Sequence, residues 1–336
     1  MQYDVITIGG SVEDITFYTN EGVLLDSHKD FLKQKLLAFE YGAKIKIDGV
    51  FMSYGGGAAN AAVNLARLGF KVATITALGD DERGRKILGN FKKQKVATNL
   101  VKKVKNIETG FSFVLVGQNH EHIVFSDRGA NQELRLSASD LKALKNTKYI
   151  YLTSLSGKYW EETLKKALAV KGPKIVWNPG HIQLSSFKKI VNYLPKVDIL
   201  FLNKDEALEL VLAASASSRN FLKVGLDNIQ KLLLALKGLG PKAVVITNGQ
   251  KGADVYDGQK FYHQPIMKEQ KRVDTTGVGD AFNSSVVAGL ELYKGDWHKA
   301  MYLGVYNAAS LIAQPGAQNG LISKSDLKKI RFNKIK

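Results

Sequence analysis

The chain has 336 residues, 45% hydrophobic and 24% charged, which suits a sizeable globular core and excludes a disordered chain. It contains no cysteine, so disulfides, thiolate metal sites and a cysteine nucleophile are excluded. Its formal net charge of +17 points either to a nucleic-acid partner or to lysine-rich exposed helix faces.

Taken in chain order, the first residues lack a basic segment and a long apolar stretch, so they read as a strand and not as a targeting signal. No apolar run approaches the ~20 residues of a membrane span, and the expected location is cytoplasmic. Residues 5–8 form a buried strand, followed by Gly9-Gly10-Ser11-Val12-Glu13-Asp14. This turn lacks the G-x-G-x-x-G spacing of dinucleotide sites, which argues against a dehydrogenase. Asp14 suits either a pair of ligand hydroxyls or the cap of a turn. Residues 14–53 are long and mixed, with alternation at Lys44-Ile-Lys-Ile-Asp48, and residues 111–125 alternate around a turn at 117–119. Both predict strands outside the main sheet, together forming a small sheet over the site.

Residues 55–68 are a glycine turn running into an alanine-rich helix, and 72–77 a strand. Helices are expected over 141–144, 160–170, 187–193 and 228–236, and strands over 149–152, 174–177, 199–202 and 243–247. This β–α alternation predicts a mostly parallel sheet covered on both faces, with ligands at the carboxyl ends of its strands. Residues 213–220 read as a polar surface connection. One domain spans 1–336, with no repeat and no linker.

The most informative stretch is Asp274-Thr-Thr-Gly-Val-Gly-Asp280-Ala-Phe282, ahead of a small-residue helix pattern. Gly277 and Gly279 permit a close approach of backbone to a bulky anion. The amides of Gly277, Val278, Gly279 and Asp280, at a helix start, suit a phosphate. A carboxylate repels phosphate, and proton abstraction from an attacking hydroxyl gives Asp280 a reason to stand there. A second cluster, Tyr54-Gly-Gly-Gly-Ala-Ala-Asn60, reads by itself as a tightly packed helix start; paired with the Asp280 loop it suggests a polyol site.

Three motifs carry a resemblance over residues 5 to about 323: Gly55-Gly56 through Gly69, Asn203-Lys-Asp-Glu206 after a strand, and 274–282. Weaker matches are Asp127-Arg-Gly-Ala-Asn131, Thr247-Asn-Gly-Gln-Lys-Gly252, Asn307-Ala-Ala and Gly316-Ala-Gln. The chain resembles the PfkB carbohydrate kinase, or ribokinase-like, family. The resemblance implies an α/β three-layer sandwich with a small β-sheet lid, its segments at about 12–53 and 107–126. It implies an ATP-dependent kinase acting on a sugar hydroxyl, with Asp280 as base and the amides of 276–280 as anion hole. Asn203 and Glu206 would organise Mg²⁺, largely through water. Thr247, Gly249, Gly252, Thr276, Gly277, Gly279 and Asn307 would line the nucleotide, with Asn307 beside the adenine. Asp14, Gly56, Gly57, Asn60 and Asn131 would bind the substrate. Asp274, Thr276 and Gly316 match positions that hold a monovalent cation such as K⁺. A homodimer through the lid is implied too.

The chain departs from the family at Gly57, where ribokinases proper carry lysine, so ribose itself is not implied. Residues 24–41 are an extension expected to add a lid helix or reshape the pocket. A nucleoside kinase is the alternative, with Phe17, Phe39, Phe51 or Phe113 as a wall for the base. A nucleic-acid-binding protein on a kinase fold is disfavoured: the lysines are scattered without interleaved aromatics, and Asp280, Asn203 and Glu206 would have no purpose. His120 and His122 read as exposed lid residues, since no third metal ligand is evident.

Overall fold

The computed structural model describes residues 3–26, 35–117, 122–217, 228–267 and 271–332. The strands are β1 (Tyr3–Ile8), β2 (Val12–Tyr18), β3 (Val23–Asp26), β4 (Lys35–Ala38), β5 (Gly49–Gly55), β6 (Val72–Ile75), β7 (Ala77–Gly79) and β8 (Lys102–Val104). They continue as β9 (Thr109–Val116), β10 (His122–Gly129), β11 (Thr147–Leu152), β12 (Lys174–Trp177), β13 (Ile199–Asn203), β14 (Ala243–Thr247), β15 (Ala253–Tyr256) and β16 (Phe261–Gln264). The helices are α1 (Gly57–Arg67), α2 (Glu82–Lys93), α3 (Ala138–Lys145), α4 (Trp160–Leu168), α5 (His181–Leu184) and α6 (Phe187–Ile190). After these come α7 (Lys204–Ser217), α8 (Ile229–Gly238), α9 (Val278–Leu292) and α10 (Trp297–Leu311).

Short aliphatic runs buried on both faces become the strands of one eight-stranded sheet, ordered β16-β15-β14-β13-β12-β11-β1-β6. The six strands from β14 to β6 are parallel, and β15 and β16 close one edge antiparallel. Successive residues feed opposite cores: Ile150 and Leu152 join the layer under α3–α8, while Tyr149 and Tyr151 join the layer under α1, α2, α9 and α10. The result is the three-layer sandwich that the β–α alternation predicts. No helix among the described residues is long and apolar enough to cross a membrane.

The two irregular segments supply a second sheet, ordered β10-β9-β2-β5, as their alternation predicts. Its register sorts the side chains. Asp14, Thr16 and Tyr18 share one face with Ser112, Val114 and Val116 of β9, and with Ser53 and Phe51 of β5. Ile15 and Phe17 share the other with Phe113, Leu115, Val50 and Met52. The first face turns toward the large sheet: a Cβ on Gly316, in the loop after α10, would lie 2.9 Å from Ser53 Oγ and 3.1 Å from the Phe51 ring.

Three expectations change here. Within 24–41 the described residues form the hairpin β3–β4, not a helix. Lys44–Asp48 alternates but is not a strand; its backbone is held by Thr19 Oγ1 donating to Lys46 O at 2.8 Å and Lys46 N–H donating to Glu21 Oε2 at 3.2 Å. Residues 213–217 are the last turn of α7 and not a connection, because Ala213 and Ala214 continue its buried stripe. Residues 118–121 and 218–220, and the side chain of His122, lie outside the described residues.

Candidate active site

The site forms where the N-termini of α1 and α9 cross. Both helices are built of small residues at this crossing, Ala58, Ala59, Ala61 and Ala62 against Ala281, Ser284 and Ser285, so their backbones approach closely. Polar side chains one turn apart join them. Asn60 Nδ2 donates to Asp280 Oδ2 at 2.8 Å, and Asn64 Nδ2 donates to Ser284 Oγ and Ser285 Oγ at 2.8 and 2.9 Å. Gln318 Nε2 donates to Asn60 Oδ1 at 3.0 Å, which fixes the orientation of the Asn60 amide. Desolvation pushes the pKa of Asp280 upward, and the Asn60 bond draws it back.

Gly277 caps α9 in the left-handed region, at φ 76°, and any Cβ there would lie 2.5 Å from Ala317 Cβ. Ala281 N–H closes a helical bond to Gly277 O at 2.9 Å. Of the amides expected to cradle an anion, Thr276 N–H is committed to Asp274 Oδ1 at 2.8 Å, and Val278 N–H reaches back to Thr275 O at 3.4 Å. Among the described residues Gly277, Gly279 and Asp280 keep amides with no protein acceptor, so fewer of the amides of 276–280 are free to meet an anion than the motif suggests. Asp274 also accepts from Gly316 N–H at 2.8 Å, tying the Asp280 loop to the loop after α10.

Asp14 stands on the inner face of the small sheet and is 5% exposed. Its carboxylate fills the place a Gly55 side chain would occupy. Burial first, then the charges of Asp274, Asp280 and Glu13, push its pKa up to about 7 against a Ser112 hydrogen bond. Gly56, at φ 92°, lies against Gly10 O, and Gly57 faces Thr153 with only 3.0 Å for a Cβ.

Asn203 and Glu206 cap α7 reciprocally: Asn203 N–H donates to Glu206 Oε2 at 2.9 Å and Glu206 N–H to Asn203 Oδ1 at 2.8 Å. Burial, with Glu209, Asp280 and Asp205 nearby, pushes Glu206 up to about 7. Thr247 pairs with Asn203 in register, which carries the Gly249–Gly252 turn to the same end of the sheet. Gly252, at φ 87°, has no room for a side chain, because a Cβ would lie 2.1 Å from Gln264 O.

Two expected ligand contacts are internal instead. Asn307 is 0% exposed; its Nδ2 donates to Asn64 Oδ1 at 2.7 Å and Ser285 Oγ at 2.8 Å, and its Oδ1 accepts from Ile322 N–H at 3.0 Å. It joins α1, α9, α10 and the chain beyond, and cannot lie beside an adenine. Asn131, 3% exposed, accepts from Ser11 N–H at 3.1 Å and donates to Ser11 O at 2.9 Å, so it holds the β1–β2 turn and not a substrate. Gln318 was missed as a site residue, although it ends the Gly316-Ala-Gln match. Asn283 was missed too; helical spacing from Asp280 marks it, and its Nδ2 donates to Asn178 Oδ1 at 3.3 Å.

The raised carboxylates set a pH response. An unfolded Asp titrates near 3.8, whereas folded Asp14 holds its proton to about 7. The associated stability is complete below the unfolded value and is lost as pH rises through about 7. Thermal unfolding between pH 5 and 8 should therefore show stability falling with pH, with a shallower slope in Asp14→Asn. An unchanged slope in that variant would contradict the assignment.

Residues 30–324 match the family described as pfkB family carbohydrate kinase. The chain is similar to a ribokinase of Haemophilus influenzae, 29% identical over 82% of this chain and 86% of the relative. It is similar to an ATP-dependent 6-phosphofructokinase of Thermoanaerobacterium thermosaccharolyticum, 25% identical over 98% of this chain and 96% of the relative. Its fold matches the structure of an Arabidopsis thaliana ribokinase complexed with ribose and ATP, with a TM-score of 0.78 and 20% identity over 98% of both chains.

Proposed function

The chain belongs to the pfkB family of carbohydrate kinases, and from that premise we propose that Asp280 is the base through which it moves a phosphoryl group from ATP to a sugar hydroxyl. One observation carries this reading: the Asp280 carboxylate, held by Asn60, belongs to the last of the three residues whose amides stay unpaired at the start of α9. Asp14 accepts hydrogen bonds from substrate hydroxyls, and the amides of Gly277 and Gly279 meet the charge that develops on the transferring group. Thr247, Gly249 and Gly252 line the nucleotide.

Asn203 and Glu206 would hold Mg²⁺ mainly through water. Hard oxygen donors and the acidic surroundings of Glu206 suit that ion, and among the described residues no three acidic or histidine side chains converge to hold one directly. Its charge would neutralise the phosphates. Asp274, Thr276 and Gly316 come together as a candidate K⁺ position, and the buried Thr276 Oγ1, which has no partner among the described residues, suits such an ion. A cytoplasmic location suits an enzyme that draws on cellular ATP.

A coupled ADP-release assay over sugars and nucleosides tests the reading; ATP consumption that no acceptor stimulates would sink it. Strand parity bears on the nucleoside alternative. Phe17 and Phe113 stack on each other at 5.4 Å on the outer face, so of the lid strands' phenylalanines Phe51 is the one turned inward.

The outer lid face supports a homodimer. Val50, Met52 and Phe125 are 54%, 62% and 59% exposed there, a patch of a kind monomers rarely leave open. Sedimentation should give a dimer for the parent protein and a monomer for Met52→Lys/Phe125→Lys. A parent monomer would exclude this interface.

A further inference from the structure

We propose that Asn90 and Gln318 are positioning residues for the base, acting through Asn60 as a relay of amides that ends on Asp280; this rests on the kinase reading above. The relay starts on α2, where Asn90 Nδ2 donates to Gln318 Oε1 at 2.9 Å. Gln318 Nε2 donates to Asn60 Oδ1 at 3.0 Å, and Asn60 Nδ2 donates to Asp280 Oδ2 at 2.8 Å. It joins α2, the loop after α10, α1 and α9 in that order.

The relay has a direction. Gln318 and Asn60 each accept through oxygen and donate onward through nitrogen, and an ionised carboxylate only accepts. Turning the Asn60 amide over would set its oxygen against Asp280 Oδ2 and its nitrogen against Gln318 Nε2. Both contacts would then repel. Gln318 therefore commits Asn60 to offer an N–H to the base. Bonds in such a series polarise one another, which strengthens the last of them.

The support is itself anchored. Gln318 is 6% exposed, and its carbonyl oxygen accepts from Arg67 Nη1 of α1 at 3.1 Å. Asp81 fixes the start of α2, accepting from Gly84 N–H at 2.7 Å and from Thr109 N–H and Oγ1 at 2.7 and 2.6 Å. Ile87 and Phe91, either side of Asn90 on the same helix, are buried. With its oxygen bound to Asn90 and its nitrogen to Asn60, Gln318 reaches the reaction only through Asn60.

The test is steady-state kinetics of two variants with D-ribose, D-fructose 6-phosphate or adenosine, whichever the parent turns over. Gln318→Met keeps an unbranched side chain and removes its amide; Asn90→Ala changes a partly exposed position. Both should lower kcat, Gln318→Met by up to about 100-fold, with KM for ATP unchanged. Without Gln318 the Asn60 donor is no longer held on Asp280, so the acid limb of kcat should move to higher pH. Asp14, Glu206 and Tyr151 also feel the charge of Asp280, and neither substitution alters them. In an Asn60→Ala background, Gln318→Met should cost nothing further, because its effect passes through Asn60. A parental kcat with an unmoved acid limb in either variant overturns the inference and leaves the kinase reading intact. So does a Gln318→Met loss that adds in full to that of Asn60→Ala. If Gln318→Met does not fold, Asn90→Ala decides by the same two readouts. No acceptor-stimulated turnover in the parent removes the kinase reading, and the inference falls with it.

Discussion

Asp280→Asn should lower kcat by about 10²–10⁴-fold, the range a positioned general base contributes, while the protein folds and binds ATP as before. Folding should survive because an asparagine oxygen can still accept from Asn60 Nδ2, which lies 2.8 Å from Asp280 Oδ2. ATP binding should survive because the amides of Gly277 and Gly279 belong to the backbone. The pH profile adds a second readout. Burial raises the pKa of Asp280, so the parent rate should fall on the acid side at a pH above the ordinary carboxylate range. The residual rate of the variant should lack that limb. Single-turnover kinetics with saturating acceptor would measure both, and a near-parental rate in the variant would exclude Asp280 as the base.

Asn307→Ala should destabilise the protein by roughly 2–5 kcal/mol without changing the ATP affinity of the folded form. The substitution strands Asn64 Oδ1 and Ile322 N–H, both partners of Asn307 in the interior. Buried groups left unpaired cost more than an ordinary hydrogen bond contributes, and here the loss falls on a network that joins three helices. Urea denaturation would give the stability change. Titration with ATP at low temperature would separate the interior role from the adenine contact that the sequence suggests. A stable variant with weakened ATP binding would restore that contact.

Asn60 and Asn131 show how pattern and position differ. Each stands in a glycine-containing motif where an asparagine suits a ligand hydroxyl. In the fold, Asn60 lies between Asp280 and Gln318, which are 220 and 258 residues away, and it orients the base. Asn131 spends its amide on Ser11, 120 residues away. No local pattern reports such partners, because an amide is equally able to meet a ligand, a side chain or a distant backbone group. The anion-binding loop illustrates the same limit on a smaller scale: Thr276 belongs to the motif, but its amide is taken by Asp274 two residues earlier.

The segment after β2 failed for a different reason. Lys44-Ile-Lys-Ile-Asp48 alternates as a strand does, but alternation describes only which side chains can share a face. A strand also needs a neighbouring edge in register, and this segment is bound instead by separate contacts from Tyr18, Thr19, Asn20 and Glu21.

By itself the sequence determined the three-layer α/β architecture, the separate lid sheet and the identity of the family. The architecture and the lid depend on local periodicity and on glycines at turns, which neighbouring residues settle among themselves, and the family is carried by the motifs at 55–69, 203–206 and 274–282. Only the tertiary structure decided which amides stay unpaired, which asparagines face inward, and which lid side chains face the large sheet. Each of these depends on contacts between residues far apart in the chain, and on strand parity, which sends Glu13, the partner of Arg83 on α2, to one face of the lid and Asp14 to the other.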